Sequence, residues 1–246
     1  MRIPTVPVHR HGRSVAWLLS GLVFAPMPAD GPGRPQRGTT PLPTPIIGHW
    51  TTITDSGAPY LVVNGERWDG RADPLELKRW SRELFGAVSQ PFVENGKGER
   101  SYPLAVVLEV PEFGDGTLRV GFRMMGGASD QNAGIVFGLQ PAGDYYYARY
   151  NTKDGDVAVW RYVNGQREVL QHGSVHVQLP LGTWQELVVT VQGRQVRVHV
   201  AGHDSVRAVH DLPVAPRGRV GVWVKRDAIT AFRGFLAEPA GIRLQG

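Results

Sequence analysis

Short apolar segments alternate with turn residues from Leu104 to the end of the chain, and this pattern constrains the fold more than any other feature. About eight or more strand-length segments at roughly ten-residue spacing indicate a β-sandwich or a β-barrel. In the segment TLRVGFRMM, Leu118, Val120 and Phe122 alternate with polar or small residues, as in a strand with one buried face. Asn164-Gly165 separates two further segments and favours a type I′ hairpin turn. The sequence therefore predicts an all-β domain.

One helix is predicted before this β region, in the segment DPLELKRWSRELF at 73–85. Leu77, Trp80 and Leu84 have the spacing of residues on one face of a helix. Asp73 stands directly before Pro74, an order typical of an N-cap followed by the first helical residue. We expect at most this one short helix.

The first 29 residues have the layout of a signal peptide. Basic residues up to Arg13 precede an apolar run at 15–25 (VAWLLSGLVFA), and Ala29 is the predicted cleavage point. The run is shorter than the roughly 20 residues that a membrane span needs, so we expect no span in the mature chain. The composition of residues 30–46, rich in Pro, Gly and Thr, predicts a linker. The folded domain is expected over 47–239, in a secreted or periplasmic bacterial protein.

Charge and cysteine content exclude several functional classes. The chain has 27 basic and 22 acidic residues, a net charge of +5 and a pI of about 9.7. The predicted signal peptide holds three of the arginines and no acid, so the remainder is close to neutral. No basic block with interleaved aromatic residues indicates a nucleic-acid partner. The absence of cysteine excludes disulfides, thiolate metal sites and cysteine nucleophiles.

The histidine spacing does not predict a metal site. His172 and His176 are four residues apart, and so are His199 and His203. Such a pair shares one face of a helix, but these segments are predicted to be strands or loops, where the spacing spans about 13 Å. That distance is too long for one zinc ion, so we interpret these residues as surface histidines.

Three segments of the chain resemble concanavalin A-like, laminin G-like jelly rolls. They are DQNAGIVFGLQPAGDYYYARYN at 130–151, GTWQELVVTVQGRQVRVHVAG at 182–202 and GRVGVWVKRDAITAFRGF at 218–235. Within that superfamily the chain is similar to the 3-keto-disaccharide hydrolase domain family, which is related to family 16 glycoside hydrolases. The resemblance covers about residues 104–238. It implies a two-sheet antiparallel β-sandwich and a carbohydrate as the partner.

The sequence departs from these relatives at two places that carry chemistry. The final strand of the family usually reads Phe-Asp-Asp-Phe, whereas this chain has Phe232-Arg233-Gly234-Phe235, so a calcium site is unsupported and we predict no cofactor. The Glu-x-Asp-x-x-Glu strand of family 16 glycosidases is also missing. The nearest acidic pair, Glu109 and Glu112, has a three-residue offset that places the two side chains on opposite faces of a strand.

The polar face of the β region is the predicted ligand site. On DYYYARYN, Tyr147, Arg149 and Asn151 share one face, and on GRVGVWVK the face opposite the core carries Trp223 and Lys225. We expect Arg123 and Trp160 to join them from neighbouring strands. Aromatic rings stack on the apolar face of a pyranose, while Arg and Asn hydrogen-bond its hydroxyls. The predicted function is therefore that of an exported carbohydrate-binding domain that recognises a glycan on its concave sheet.

Two alternatives remain open from the sequence. The first is a 3-keto-disaccharide-type glycoside hydrolase, in which a single base removes the proton next to the carbonyl. Asp130, Asp227 or a histidine is a candidate for that base, and an acid or a histidine beside Arg149 would favour this activity. The second is a structural or protein-binding laminin G-like module, which a flat and apolar face would favour.

Overall fold

Two antiparallel sheets of seven strands face each other in the computed structural model, which describes residues 41–55, 57–86 and 101–241. These residues belong to a unit that spans Thr39–Gly246. The predicted two-sheet antiparallel β-sandwich is therefore confirmed. The predicted signal peptide and the predicted linker up to residue 40 lie outside the described residues.

We call the two sheets the front sheet and the back sheet. In spatial order, the front sheet consists of β1 (Thr44–Ile47), β4 (Leu104–Val106), β13 (Arg219–Trp223), β6 (Asn132–Leu139), β7 (Tyr145–Asn151), β8 (Asp156–Val163) and β9 (Gln166–His172). The back sheet consists of β12 (His203–Asp211), β11 (Gln195–Val200), β10 (Gln185–Gln192), β5 (Gly116–Gly126), β14 (Ile229–Pro239), β3 (Ala58–Asn64) and β2 (Trp50–Asp55). In the part of the chain that the structure describes, one 3-10 turn covers Gly65–Arg67 and one α-helix, α1, covers Pro74–Phe85.

The main core lies between the two sheets and follows the predicted alternation. On β5, Leu118, Val120 and Phe122 point inward and are fully buried. They belong to one cluster with inward residues of the front sheet such as Ala148 and Tyr150. Because side chains alternate along a strand, the neighbours of these residues on β5 and β7 point outward, away from the opposite sheet.

The predicted turn at Asn164-Gly165 joins β8 to β9. Both residues have positive φ, 51° and 70°, as a type I′ turn requires at its two central positions. Glycine adopts this conformation without steric cost and asparagine tolerates it, so the local sequence determines this hairpin.

Helix α1 forms where the sequence predicts it. The Asp73 side chain accepts a hydrogen bond from the Leu75 amide at 2.8 Å, and Gly86 ends the helix with a φ of 71°. Leu77 and Leu84 are buried in a second apolar cluster, on the outer face of the front sheet. The sequence pattern does not show which surface the helix covers.

Arg219 of β13 holds the end of α1 on the front sheet. Its Nε and Nη2 atoms donate hydrogen bonds to the Leu84 carbonyl oxygen at 2.9 and 2.6 Å. Burial lowers the pKa of Arg219, but a guanidinium stays charged at any physiological pH. The helix therefore lies over the β1–β4–β13 side of the sheet.

The first strand, β1, begins at Thr44, inside the predicted linker and before the predicted domain start at residue 47. It pairs with β4, and Ile46 and Ile47 are buried against the same apolar cluster as α1. Burial of these two residues explains why a strand forms within the segment whose composition predicts a linker. Within the described ranges, no helix is long and apolar enough to cross a membrane.

Candidate functional site

The outer face of the front sheet carries most of the predicted ligand residues. Along β7, Tyr147, Arg149 and Asn151 point to this face, as predicted from the two-residue period of a strand. Trp160 on β8 is directly opposite Tyr147 in the sheet register. The face therefore brings together residues of several strands, but with unequal exposure.

Two of the predicted sugar-stacking rings are not open to a ligand. Tyr147 and Trp223 are fully buried, and their ring centroids lie 4.1 Å apart. Tyr102 packs on Trp223 at 5.3 Å, and α1 belongs to the same apolar cluster. The expectation that these rings form an exposed aromatic platform is wrong, because the helix and the segment before β4 cover this part of the face. Burial raises the pKa of the Tyr147 hydroxyl far above its ordinary value, so the group stays neutral.

Arg123 does not join this face. It lies on β5 of the back sheet, and its guanidinium stacks against Tyr60 and Trp184 on the outer side of that sheet. The alternation of residues along a strand does not show to which of the two sheets the strand belongs. In this protein β5 pairs with β10 and β14 of the back sheet.

Arg149 occupies a row of small residues on the outer face. Gly134 of β6 and Ala158 of β8 are its direct cross-strand neighbours. A Cβ atom at position 134 would lie 3.3 Å from a ring atom of Trp223, so glycine leaves the room in which the tryptophan ring packs. The Arg149 side chain is nearly buried, with 6% of it exposed.

Arg149 is held by carboxylates that the sequence interpretation did not include. Its Nη2 donates to Asp154 Oδ2 at 2.8 Å. Its Nη1 lies 3.9 Å from Asp156 Oδ1, beyond hydrogen-bond distance. Both of those atoms are buried and have no hydrogen-bond partner among the described residues. The arrangement leaves one donor and one acceptor unsatisfied beside each other, which is rare for buried polar atoms.

Asp156 also binds His172 of β9. His172 Nδ1 lies 2.6 Å from Asp156 Oδ2, and the two side chains are 51% and 2% exposed. The Trp160 ring meets the imidazole edge-on at 6.1 Å, and its indole N–H is buried with no acceptor in the described part of the chain. The histidine therefore connects a buried carboxylate to the surface.

Asn151 and Lys225 extend this network toward the loop before β6. Asn151 Nδ2 donates to Asp154 Oδ2 at 3.0 Å and lies 3.4 Å from Asp130 Oδ1. Lys225 Nζ lies 3.4 Å from the same Asp130 oxygen, and Arg226 Nε is 3.6 Å from Oδ2. Burial lowers the pKa of Lys225, an effect that the Asp130 charge opposes. We call the set of Asp130, Arg149, Asn151, Asp154, Asp156, His172 and Lys225 the polar cluster.

Asp227, one of the two carboxylates considered as a base, has a structural role instead. It accepts hydrogen bonds from the backbone amides of Ala128 and Ser129 at 2.7 Å and of Asp130 at 2.9 Å. Partial burial opposes ionisation, but these amides outweigh it and lower the pKa of Asp227. These hydrogen bonds occupy the carboxylate oxygens of Asp227, so Asp227 holds in place the loop that carries Asp130.

The members of the cluster that sequence reasoning missed are Asp154, Asp156 and His172. The sequence alone singles out neither Asp154 nor Asp156, and it includes His172 only among the surface histidines and the histidines that are candidates for a base. The two-residue period of a strand places Asp156 on the same face as Trp160, so the strand period alone indicates that Asp156 lies on the face of the predicted ligand site. No group of three or more His, Asp or Glu residues that could hold a metal ion occurs in the ranges that the structure describes.

Comparisons with known proteins identify the fold. No protein-family model and no curated protein match the sequence. Carbohydrate-binding module CBM66 from Bacillus subtilis is 17% identical, with a TM-score of 0.50 over 80% of this chain and 99% of that one. An alginate lyase from Pseudomonas aeruginosa is 12% identical, with a TM-score of 0.41 over 77% of this chain and 86% of that one. Sheep galectin-11 is 16% identical, with a TM-score of 0.38 over 55% of this chain and 94% of that one.

The likeness to CBM66 extends over nearly all of that module and agrees with the two-sheet β-sandwich fold. At this level of identity the similarity concerns the fold, and the function has to be argued from the polar cluster.

Proposed function

We propose that this protein is an exported carbohydrate-binding module that binds a sugar residue at the polar cluster of the front sheet. The observation that carries the proposal is the pair of unsatisfied atoms, Arg149 Nη1 and Asp156 Oδ1, which lie 3.9 Å apart. A sugar hydroxyl is both donor and acceptor. It accepts from the guanidinium and donates to the carboxylate, and so satisfies both groups at once.

The energetics favour such a ligand. A buried polar atom without a partner costs about 1–3 kcal/mol, and hydrogen bonds to charged groups are the stronger ones. A hydroxyl placed between Arg149 and Asp156 recovers part of that cost, and an analogue without the hydroxyl does not. The site therefore distinguishes sugars by the positions of their hydroxyl groups rather than by the area of the sugar ring that stacks on an aromatic side chain.

Access to the two atoms runs past His172 and Trp160. The His172 side chain is half exposed and contacts Asp156 directly, and the Trp160 ring is only partly buried. A change of the histidine rotamer exposes Asp156, and such changes occur within nanoseconds for exposed side chains. The partly buried edge of Trp160 then lies beside the bound sugar, in place of the buried Tyr147 and Trp223.

The fold is compatible with this role, since CBM66 is a carbohydrate-binding module built on the same β-sandwich. The proposed export rests on the basic and apolar pattern of residues 1–29. Expression of the full chain in a bacterial host, followed by mass spectrometry of the N-terminus, tests it. Cleavage after residue 29 or nearby in an exported fraction supports export, and an intact N-terminus in the cytoplasm contradicts it.

Binding is tested by calorimetric titration of the full chain against a panel of neutral oligosaccharides. Arg149→Lys keeps the charge but loses the planar fork, so we expect at least a tenfold loss of affinity, which corresponds to about 1.4 kcal/mol. Arg161→Lys is the matched control, since Arg161 lies on β8 and pairs with Glu168 at the surface. Equal affinity of wild type and Arg149→Lys for the bound sugar would overturn the proposed site.

The same cluster supports a second candidate, the 3-keto-disaccharide-type hydrolase. The observation in its favour is the 2.6 Å contact of His172 Nδ1 with Asp156, beside Arg149. In this candidate, Nδ1–H donates to Asp156, and the free Nε2 removes the proton next to the keto group. The glycosidic C–O bond then breaks, the departing sugar oxygen takes up a proton, and water adds to the resulting unsaturated ketone. Appearance of monosaccharide from a 3-keto-disaccharide, and its loss in His172→Gln, would favour the enzyme over the binding module. A structural module is the least supported, because the face is charged rather than flat and apolar.

A further inference from the structure

A second cluster of polar and aromatic side chains lies on the outer face of the back sheet. Trp184 precedes β10, and two guanidinium groups stack on its ring. The Cζ atoms of Arg233 and Arg123 lie 4.0 Å and 4.8 Å from the ring centroid. Tyr60 of β3 meets the tryptophan edge-on at 5.7 Å, and Arg123 Nη2 lies 3.3 Å from the Tyr60 hydroxyl. We call Tyr60, Arg123, Trp184 and Arg233 the arginine–tryptophan cluster.

The backbone around Arg233 is shaped for this contact. Arg233 is opposite Gly121 in the β14–β5 register, and a Cβ atom at 121 would lie 3.1 Å from Arg233 Cγ. Glycine therefore lets the arginine stem cross β5 toward Trp184. The register shifts directly after Arg233, where Gly234 has a φ of 59°. Arg233 and Gly234 thus supply the guanidinium and the bulge, respectively.

The two arginines lack the acidic partners that their neighbours have. Within the described residues, neither Arg123 nor Arg233 has a carboxylate within ion-pair distance, and Arg123 Nε is buried without an acceptor. On the same outer face, Arg119 lies 3.4 Å from Glu186 and 3.6 Å from Glu238. Both guanidinium groups lie over the Trp184 ring. The distance between their Cζ atoms is therefore at most the sum of the two distances to the ring centroid. Like charges within that distance repel each other, and an anion bound beside them reduces the repulsion.

We propose that the arginine–tryptophan cluster binds the carboxylate of an acidic saccharide. A guanidinium presents its donors in a planar fork that matches the two oxygens of a carboxylate. Its residues lie on or next to the adjacent strands β10, β5, β14 and β3, so the cluster extends across the outer face of the back sheet. This site is independent of the polar cluster, because it lies on the other sheet.

The test is calorimetric titration of the full chain with a trimer of galacturonic acid, beside its fully methyl-esterified counterpart. We expect the acid to bind, the ester to bind at least tenfold more weakly, and the affinity for the acid to fall with added salt. Arg233→Gln is expected to weaken binding of the acid at least tenfold. Arg207→Gln is the matched control, since Arg207 is exposed on β12 of the same face and the change in net charge is identical. Its affinity should stay within twofold of wild type.

Three outcomes would overturn the proposal: equal binding of the acid and the ester, an equal loss in the Arg207 and Arg233 variants, or no binding of the acid at all. Inorganic sulfate and a single-stranded oligonucleotide serve as further probes. If sulfate or the oligonucleotide binds as tightly as the galacturonic acid trimer, the cluster binds anions in general. That result would also contradict the proposal. Arg149→Lys should leave the affinity for the trimer unchanged, so failure of this site and of the polar cluster can be told apart.

Discussion

The rings of Tyr147 and Trp223 stack on each other with centroids 4.1 Å apart, fully buried on the outer face of the front sheet. They come from β7 and β13, and Gly134 of the intervening strand β6 is directly opposite Trp223. Rings that a sequence pattern assigns to a ligand thus form a second core beneath α1. The consequence is that substitutions here change stability first.

Trp223→Ala is expected to lower the free energy of unfolding by about 3–5 kcal/mol, because it opens a large cavity under Tyr102 and Tyr147. Trp223→Phe retains part of the packing and should cost less. Chemical denaturation followed by circular dichroism measures both. A loss below about 1 kcal/mol in Trp223→Ala would mean that this cluster is not a core.

Arg219→Met should loosen α1 from the sheet. The change keeps the apolar stem but removes the two hydrogen bonds to the Leu84 carbonyl, with an expected cost of about 1–3 kcal/mol. Hydrogen exchange should become faster in Pro74–Phe85 while β5 keeps its protection. Uniform exchange changes across both elements would contradict a local role for Arg219.

We expect Asp227 to make the stability of the loop at 128–130 depend on pH in the acid range. Its pKa in the folded protein is lower than the ordinary value of 3.8, so its stabilising contribution is fully present above that value and is lost as the pH falls through the folded pKa. Asp227→Asn is expected to cost about 1 kcal/mol at pH 7, comparable to the loss of a helix cap, and to flatten the stability profile in the acid range. Denaturation at several pH values, with Asp204→Asn as a control on exposed β12, measures the difference. Parallel profiles of wild type and Asp227→Asn would refute this role.

Gly134→Ala should disturb the polar cluster and the second core together. The added Cβ atom would lie 3.2 Å from the Ala148 carbonyl oxygen and 3.3 Å from the Trp223 ring. An expected cost of about 1–3 kcal/mol follows from overpacking, together with weaker sugar binding because Arg149 lies in the same row. Gly193→Ala is a useful contrast, because its Cβ atom would meet nothing within 4 Å and only its φ of 59° opposes the change. Unchanged stability in Gly134→Ala would show that the row tolerates a larger residue.

Local sequence determined much of the architecture. Alternation on β5 places Leu118, Val120 and Phe122 in the core, since the strand period is two. Asp73 and Gly86 delimit α1, and Asn164-Gly165 determines a hairpin, because caps and turns depend on residues that are adjacent in the chain. The same periodicity assigned Arg149 and Asn151 to one face of β7.

Only the tertiary structure decided which of these residues meet. Pairing between strands that are distant in the chain determines the sheet to which β5 belongs. This pairing separates Arg123 from Arg149. The position of α1 over Trp223 depends on the packing of its apolar face against residues that are distant in the chain. The contact of His172 with Asp156 depends on the register of β8 and β9. The sequence by itself determined strands, turns and the helix, because these are short-range preferences. The long-range packing of those elements decided which polar atoms were left unsatisfied, and so where a ligand is proposed to bind.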